Sequence, residues 1–130
     1  METTGARVLI VDDEPALRTM LSAYLGRLGY GVEACGSSDT ARARVEEEPA
    51  GFALAVLDGT MPGLEMNDLV LGMLRASPDL RVIVSSGYPV DMTRMEAAAG
   101  DRVSFLLKPF APEMLASLAR RMLGTQKEDL

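Results

Sequence analysis

Histidine and tryptophan are absent from this chain of 130 residues, and cysteine occurs only once, as Cys35. Without histidine the chain has no imidazole that could act as an acid–base catalyst or bind a metal. A single cysteine cannot form an internal disulfide bond, which predicts a reducing compartment. The apolar runs are too short to span a membrane, and residues 1–4 lack the basic start of a secretory signal. We therefore expect a cytoplasmic protein that does not bind membranes.

Acidic residues outnumber basic ones by 19 to 13, which gives a formal net charge of −6. This charge repels the phosphates of nucleic acids, so we expect no direct binding of DNA or RNA. The length is typical of one domain, and the apolar fraction of 48% is typical of a globular one. We expect an N-terminal extension over residues 1–5, a folded domain over 6–123 and a polar tail over 124–130.

Apolar segments typical of buried parallel strands alternate along the chain with segments of helical periodicity. A regular βα alternation predicts a parallel sheet with helices on both faces, that is, a doubly wound α/β fold of three layers. The predicted strands cover 7–11, 30–35, 52–57, 81–85 and 103–107. The first predicted helix begins at Pro15 and ends before Gly29. The other four cover 37–48, 67–76, 91–99 and 112–123.

Polar residues follow four of these strands, although the strands themselves are apolar. Asp12-Asp13 follow the first strand, Asp58 the third, Ser85-Ser86 stand at the end of the fourth, and Lys108-Pro109 follow the fifth. Ligands of such sheets bind outside the carboxyl ends of the strands, where the strand order reverses. We therefore expect three carboxylates, a hydroxyl and an ammonium group to meet in one small cleft.

Carboxylates that lie this close repel one another unless a cation lies between them. Mg²⁺ suits such a site because it uses few protein carboxylates and can also bind a phosphoryl oxygen. The ammonium of Lys108 could hold a second phosphoryl oxygen, and the Ser85 hydroxyl could donate to a third. Asp58 would then be the carboxylate that accepts the phosphoryl group as an aspartyl phosphate.

Four segments, taken in their order along the chain, resemble the motifs of a known family. They are VLIVDDEP (8–15), VLDGTMPG (56–63), VIVSSGYP (82–89) and FLLKPF (105–110). Together they resemble the receiver domain of bacterial two-component response regulators, and the likeness covers residues 6–123. It implies a flavodoxin-like (βα)5 fold with the strand order 2-1-3-4-5.

The resemblance also implies a role for each site residue. Asp58 would accept a phosphoryl group from a histidine kinase or a phosphotransfer protein. Asp13, Asp58 and the backbone carbonyl of Thr60 would bind Mg²⁺ directly, with Asp12 close by, often through water. Lys108 would pair with a phosphoryl oxygen, and its peptide bond to Pro109 would be cis.

The same resemblance implies that phosphorylation changes the conformation of one surface of the domain. Ser85, assigned as the end of its strand, would be the hydroxyl that moves toward the phosphoryl group, with Ser86 as the alternative. Phe105 would be the aromatic residue that changes rotamer with it, unless it is a static core residue. Helix four, strand five and helix five would then change their affinity for a downstream protein or for a second copy of the chain.

Two features depart from the family or leave other functions open. Met66 stands where the family usually has glycine, which predicts an altered loop before helix three.

The sequence DGT at 58–60 also suggests an aspartate-nucleophile phosphatase of the haloacid-dehalogenase type, but the position that would carry its nucleophile is Val56. A pseudo-receiver, which binds partners without phosphate, is the third alternative. Apart from any function, Asp12 and Asp13 could simply cap the first helix, since acidic residues favour helix N-termini.

Overall fold

The computed structural model describes residues 5–60 and 65–123. Its five parallel strands form one sheet in the order β2-β1-β3-β4-β5. The strands are β1 (Arg7–Val11), β2 (Gly31–Cys35), β3 (Leu54–Asp58), β4 (Arg81–Ser86) and β5 (Val103–Leu107). The helices are α1 (Pro15–Arg27), α2 (Ser38–Glu47), α3 (Met66–Ala76), α4 (Thr93–Ala99) and α5 (Pro112–Leu123). The predicted fold class and strand order are therefore confirmed.

The helices cover the two faces of the sheet and create two separate hydrophobic cores. The α1–α5 core packs helices α1 and α5 on one face, with Leu21, Leu25, Leu115 and Ala119 among its buried side chains. The α2–α4 core packs helices α2, α3 and α4 on the other face, with Val45, Leu69, Met73 and Met95 buried. The sheet thus lies between two helical layers, and both faces of its central strands are dry.

Some element boundaries differ from the predictions. Strand β3 begins at Leu54 rather than at residue 52, and β4 continues one residue further, to Ser86. Helix α4 begins at Thr93 rather than at residue 91, because the Asp91 carboxylate accepts a hydrogen bond from the Thr93 N–H (3.0 Å) and stays outside the helix. A short 3-10 helix, Gly100–Arg102, precedes β5 and was not predicted.

Other predictions concern residues outside the described ranges. They are most of the N-terminal extension, the turn at Pro62-Gly63 and the polar tail over residues 124–130. Within the described ranges, no helix has the length and apolar content needed to cross a bilayer.

Arg102 ties the end of α3 to the start of β5. Its guanidinium donates hydrogen bonds to the carbonyl oxygens of Leu80 (3.0 Å), Ser77 (2.9 Å) and Leu74 (3.3 Å). The last carbonyls of a helix have no partners within the helix, so the bond to Leu74 satisfies a group at the end of α3 that would otherwise need water. The Ser77 carbonyl also accepts a hydrogen bond from the Leu80 N–H (3.1 Å).

Charged side chains link β1, β2 and α2. Glu33 accepts hydrogen bonds from Arg44 and from Arg7. Both guanidinium groups also lie over the ring of Phe52, at 4.6 Å for Arg7 and 5.6 Å for Arg44. Hydrogen bonds from Arg44 lower the pKa of the Glu33 carboxyl.

Candidate functional site

Polar side chains meet at the carboxyl edge of the sheet, as the sequence predicts. Asp12 follows β1, Asp58 ends β3, Ser85 and Ser86 end β4, and Lys108 follows β5. Strands β1 and β3 are neighbours in the sheet, and the order of the strands reverses there. This is the crevice in which doubly wound folds bind their ligands.

The alternation of side chains along the strands decides which of these groups share a face. Asp12, Asp58, Ser85 and Lys108 stand in phase with Ile10, Val56, Ile83 and Leu106, which pack in the α1–α5 core. Register supports this grouping, because Asp58 of β3 pairs with Ser85 of β4. One residue at the end of each of four strands therefore points to the same side at the same edge.

Three carboxylates come close together at this edge. Oxygen atoms of Asp12, Asp13 and Asp58 all lie within 4.8 Å of one another. Asp12 and Asp58 are buried, at 4% and 5% exposure, while Asp13 is exposed. Two buried carboxylates beside a third need positive charge nearby.

Lys108 supplies a positive charge to the two buried carboxylates. Its Nζ lies 3.3 Å from Oδ2 of Asp12 and 3.5 Å from Oδ2 of Asp58. The strand β5 directs it there, since the Lys108 N–H donates to the carbonyl of Ser86 (2.9 Å). The peptide bond from Lys108 to Pro109 is cis.

The two oxygens of the Asp58 carboxylate have different surroundings. Oδ1 accepts hydrogen bonds from the Thr60 N–H (3.0 Å) and from the Thr60 hydroxyl (2.8 Å). Oδ2 faces Lys108. The role of the Thr60 side chain was not predicted, since the sequence suggested only its backbone carbonyl as a ligand. The DGT spacing could have indicated it, because a hydroxyl two residues after an aspartate can close a local turn.

Two hydrogen bonds that involve a side chain hold the loop that carries Asp12. Oδ1 of Asp12 accepts a hydrogen bond from the Glu14 N–H (2.9 Å), and the Asp12 carbonyl accepts one from Nη1 of Arg18 (2.7 Å). Asp12 therefore does stabilise the chain before α1, and the same residue also faces Lys108. Periodicity offers no reason to single out Arg18, because an arginine within a helix is usually solvated.

The two serines at the end of β4 are both buried, at 2% exposure, but their hydroxyls differ. Oγ of Ser86 accepts a hydrogen bond from the Tyr88 N–H (3.0 Å). Oγ of Ser85 has no hydrogen-bond partner among the described residues. The assignment of Ser85 assumed that β4 ends there, whereas the strand ends at Ser86.

Phe105 and Met66 lie on the other side of the sheet. Phe105 pairs in register with Val84, is half-buried against the α2–α4 core, and lines an open groove of about 480 Å³ between α4 and α5. Met66 is the first residue of α3 and packs partly against the same core. The loop that its substitution was expected to alter, residues 61–64, lies outside the described ranges.

Comparison with known proteins decides the family. The model of the response regulator receiver domain matches residues 8–120 of this chain. The chain belongs to the response regulator receiver domain family.

Relatives of this receiver domain include transcriptional regulators and a sensor kinase. It is 33% identical over 122 residues to the DNA-binding transcriptional regulator NtrC of Azospirillum brasilense, covering 94% of this chain and 25% of NtrC. It is 32% identical over 122 residues to the sensor kinase CckA of Brucella abortus, covering 94% of this chain and 13% of CckA. The chain thus spans about a quarter, or less, of the length of these relatives.

A solved structure agrees with the fold. The crystal structure of a CheY-like receiver domain protein from Methanospirillum hungatei superposes with a TM-score of 0.82 at 26% identity. The match covers 98% of this chain and all of that one.

Proposed function

We propose that this receiver domain accepts a phosphoryl group on Asp58 from a phosphohistidine of a histidine kinase or a phosphotransfer protein. The observation that carries the proposal is the buried Asp58 carboxylate with the Lys108 ammonium 3.5 Å from one of its oxygens. Family membership supports the same role. In this proposal residues 6–123 form the receiver domain, and the domain acts in the cytoplasm.

The transfer forms one bond and breaks another. A carboxylate oxygen of Asp58 attacks phosphorus, the P–N bond of the phosphohistidine breaks, and the imidazole nitrogen keeps the bonding electron pair. Negative charge is spread over the oxygens of the transferring group, so the site helps mainly by placing positive charge beside them. The ammonium of Lys108 does this without leaving the crevice, since it already borders Asp58.

The donor set fits Mg²⁺, because three carboxylates that lie within 4.8 Å of one another are hard oxygen ligands that a divalent cation would neutralise. Asp13, Asp58 and the backbone carbonyl of Thr60 would bind the ion directly, and Asp12 would bind it through water. When bound, Mg²⁺ supplies further positive charge for the phosphoryl oxygens.

Ser86, rather than Ser85, is the better candidate for the hydroxyl that moves toward the phosphoryl group. Ser86 is in phase with Val84, and Val84 pairs with Phe105. Its movement would therefore open space on the face of the sheet where Phe105 lies. Ser85 is on the opposite face, so it cannot make room for Phe105 in this way.

The output of the switch is the face formed by α4, β5 and α5. Phe105 and the groove of about 480 Å³ lie on this face. A phosphoryl group on Asp58 would draw the Ser86 hydroxyl inward and shift Phe105, which alters the affinity of this face for a downstream protein or for a second copy of the chain. The net charge of −6 disfavours nucleic acid as a direct partner.

The test is the intact mass after incubation with acetyl phosphate or phosphoramidate, with and without Mg²⁺. We expect a Mg²⁺-dependent gain of one phosphoryl group that Asp58→Asn abolishes and Asp79→Asn, an exposed control, retains. Hydroxylamine should remove the group. The chain has no histidine, so a phosphohistidine of its own cannot imitate this result.

The outcome also separates the alternatives. A wild-type chain that gains no phosphoryl group from any donor would refute the proposal and favour a pseudo-receiver. The phosphatase alternative has little support, because Val56 occupies the position of its nucleophile and is buried in the α1–α5 core.

A further inference from the structure

Ser85 has a buried hydroxyl to which the proposed function assigns no role. It is 2% exposed, and its Oγ has no hydrogen-bond partner among the described residues. A buried polar group without a partner is unfavourable, and folded proteins rarely keep one unless a water molecule or a functional group meets it. The position of Ser85 indicates which group this is.

A small internal cavity joins Ser85 to the charged groups of the site. Its polar lining consists of Asp12, Asp58, Ser85 and Lys108, and its remaining walls are apolar side chains from the core and from Phe110. Its volume is about 10 Å³, roughly the space that one water molecule needs. A bound water also needs two to four polar partners, and this lining offers four.

Lys108 has a free donor for such a water. An ammonium group carries three N–H donors, and two of them can point to Oδ2 of Asp12 and Oδ2 of Asp58. The third can reach the cavity, where Ser85 is the neutral lining group and can both donate and accept.

We propose that Ser85 and Lys108 hold an internal water molecule between them, and that Ser85 is a positioning residue for phosphoryl transfer. The bridge keeps the ammonium of Lys108 between the two buried carboxylates, where it faces the transferring group. This inference rests on the proposed function for its effect on transfer, but the water site itself does not depend on phosphorylation.

The first measurement follows Lys108 directly in the metal-free protein. Lys108 and Lys127 are the only lysines of the sequence, so lysine-selective labelling gives two side-chain signals in NMR spectra. We expect Ser85→Ala to shift the Lys108 signal and to speed the hydrogen exchange of its ammonium group, while the Lys127 signal stays unchanged. Ser77→Ala, which removes a buried hydroxyl on the far side of the sheet, should leave both lysine signals in place.

The second measurement is the rate of phosphorylation by acetyl phosphate at saturating Mg²⁺. We expect Ser85→Ala to be slower by about tenfold, the effect of losing one hydrogen bond to a charged group. The Mg²⁺ concentration at half-maximal rate should not change, and Ser85→Thr, which keeps the hydroxyl, should restore most of the rate. Ser77→Ala should react like the wild type even if it is less stable.

The outcomes distinguish this inference from the proposed function. An unchanged Lys108 signal in Ser85→Ala would refute the water bridge. An unchanged rate would refute the positioning role, and if Phe105 also failed to respond to phosphorylation in that variant, Ser85 would be the switch hydroxyl after all. A wild-type chain that takes no phosphoryl group would refute the proposed function, while the NMR experiment would still decide the water site.

Discussion

Lys108→Met tests whether a lysine acts as the internal counter-ion of the acidic site. The substitution nearly keeps the length of the side chain but leaves Asp12 and Asp58 buried beside each other without their cation. We expect the metal-free variant to be clearly less stable than the wild type at neutral pH. Mg²⁺ should raise its melting temperature by more than it raises that of the wild type, because the ion neutralises the same carboxylates.

The expected size follows from the geometry of the two ion pairs. The Nζ–Oδ2 distances are 3.3 Å and 3.5 Å, and at an effective dielectric constant of about 20 each pair interacts by about 5 kcal/mol before desolvation. Removing one partner of a buried ion pair costs about 3–5 kcal/mol. The Lys108 side chain is 23% exposed, so solvent screens part of this, and we expect about 2–3 kcal/mol. For a domain of this size the loss lowers the melting temperature by about 8–12 °C.

The assay is thermal unfolding followed by circular dichroism, with Mg²⁺ present or with a chelator. Lys127→Met removes the other lysine and changes the net charge equally, so it controls for charge alone. If Lys108→Met melts with the wild type in the chelator, or if Mg²⁺ raises both melting temperatures equally, Lys108 is not the counter-ion.

Three further predictions concern other parts of the chain. Arg102→Ala removes the guanidinium that donates to the Leu80, Leu74 and Ser77 carbonyls, of which the Ser77 carbonyl keeps another donor, the Leu80 N–H. We therefore expect a loss of about 2 kcal/mol in urea unfolding. The exposed Arg75→Ala at the same helix end should change stability by less than about 0.5 kcal/mol, and equal losses would contradict the bonding. Gly87 lies beside the site with open space around it, so Gly87→Gln should shield the aspartyl phosphate from water. We expect the lifetime of the phosphorylated form, followed by intact mass, to lengthen several-fold. An unchanged decay rate would show that water access does not limit hydrolysis. Because Arg44 lowers the pKa of Glu33, the folded state holds this proton less tightly than the unfolded state. The stabilisation of the fold by Glu33 is therefore complete above the unfolded pKa and is lost as the pH falls through the folded pKa. Glu33→Gln should make the free energy of unfolding depend less steeply on pH on the acid side. An unchanged slope would argue against this contribution of Glu33.

The fold could be predicted from the sequence because its central strands β1, β3 and β4 are buried almost throughout. Segments such as RVLIV (7–11) are apolar almost throughout, and the helices between the strands carry regular apolar periodicity. The boundaries were less predictable where polar side chains decide them. Asp91 accepts a hydrogen bond from the Thr93 N–H and stays outside the start of α4. Ser86 remains in β4 although its side chain is polar. Both depend on hydrogen bonds that sequence periodicity does not reveal.

The meeting of Asp12, Asp58 and Lys108 was predictable, since strand ends of a parallel sheet share one edge. The different surroundings of the Ser85 and Ser86 hydroxyls, on which their proposed roles rest, were not predictable. Both are small polar residues at the end of one strand, and only the register with Asp58 and Phe105 separates their faces. The contacts of Thr60 and Arg18 were missed for a similar reason, because each depends on the path of a loop rather than on periodicity.

The shared phase of Asp12, Asp58, Ser85 and Lys108 limits how the chain can change in length. Deleting or inserting one residue inside β1, β3, β4 or β5 would turn the residue at its end to the opposite face of the sheet, removing it from the crevice even if the strand still formed. Changes in length between the strands carry no such cost. Libraries of single-residue insertions should therefore tolerate the loops before the strands and reject the strand interiors, for a reason that involves the site as much as the core.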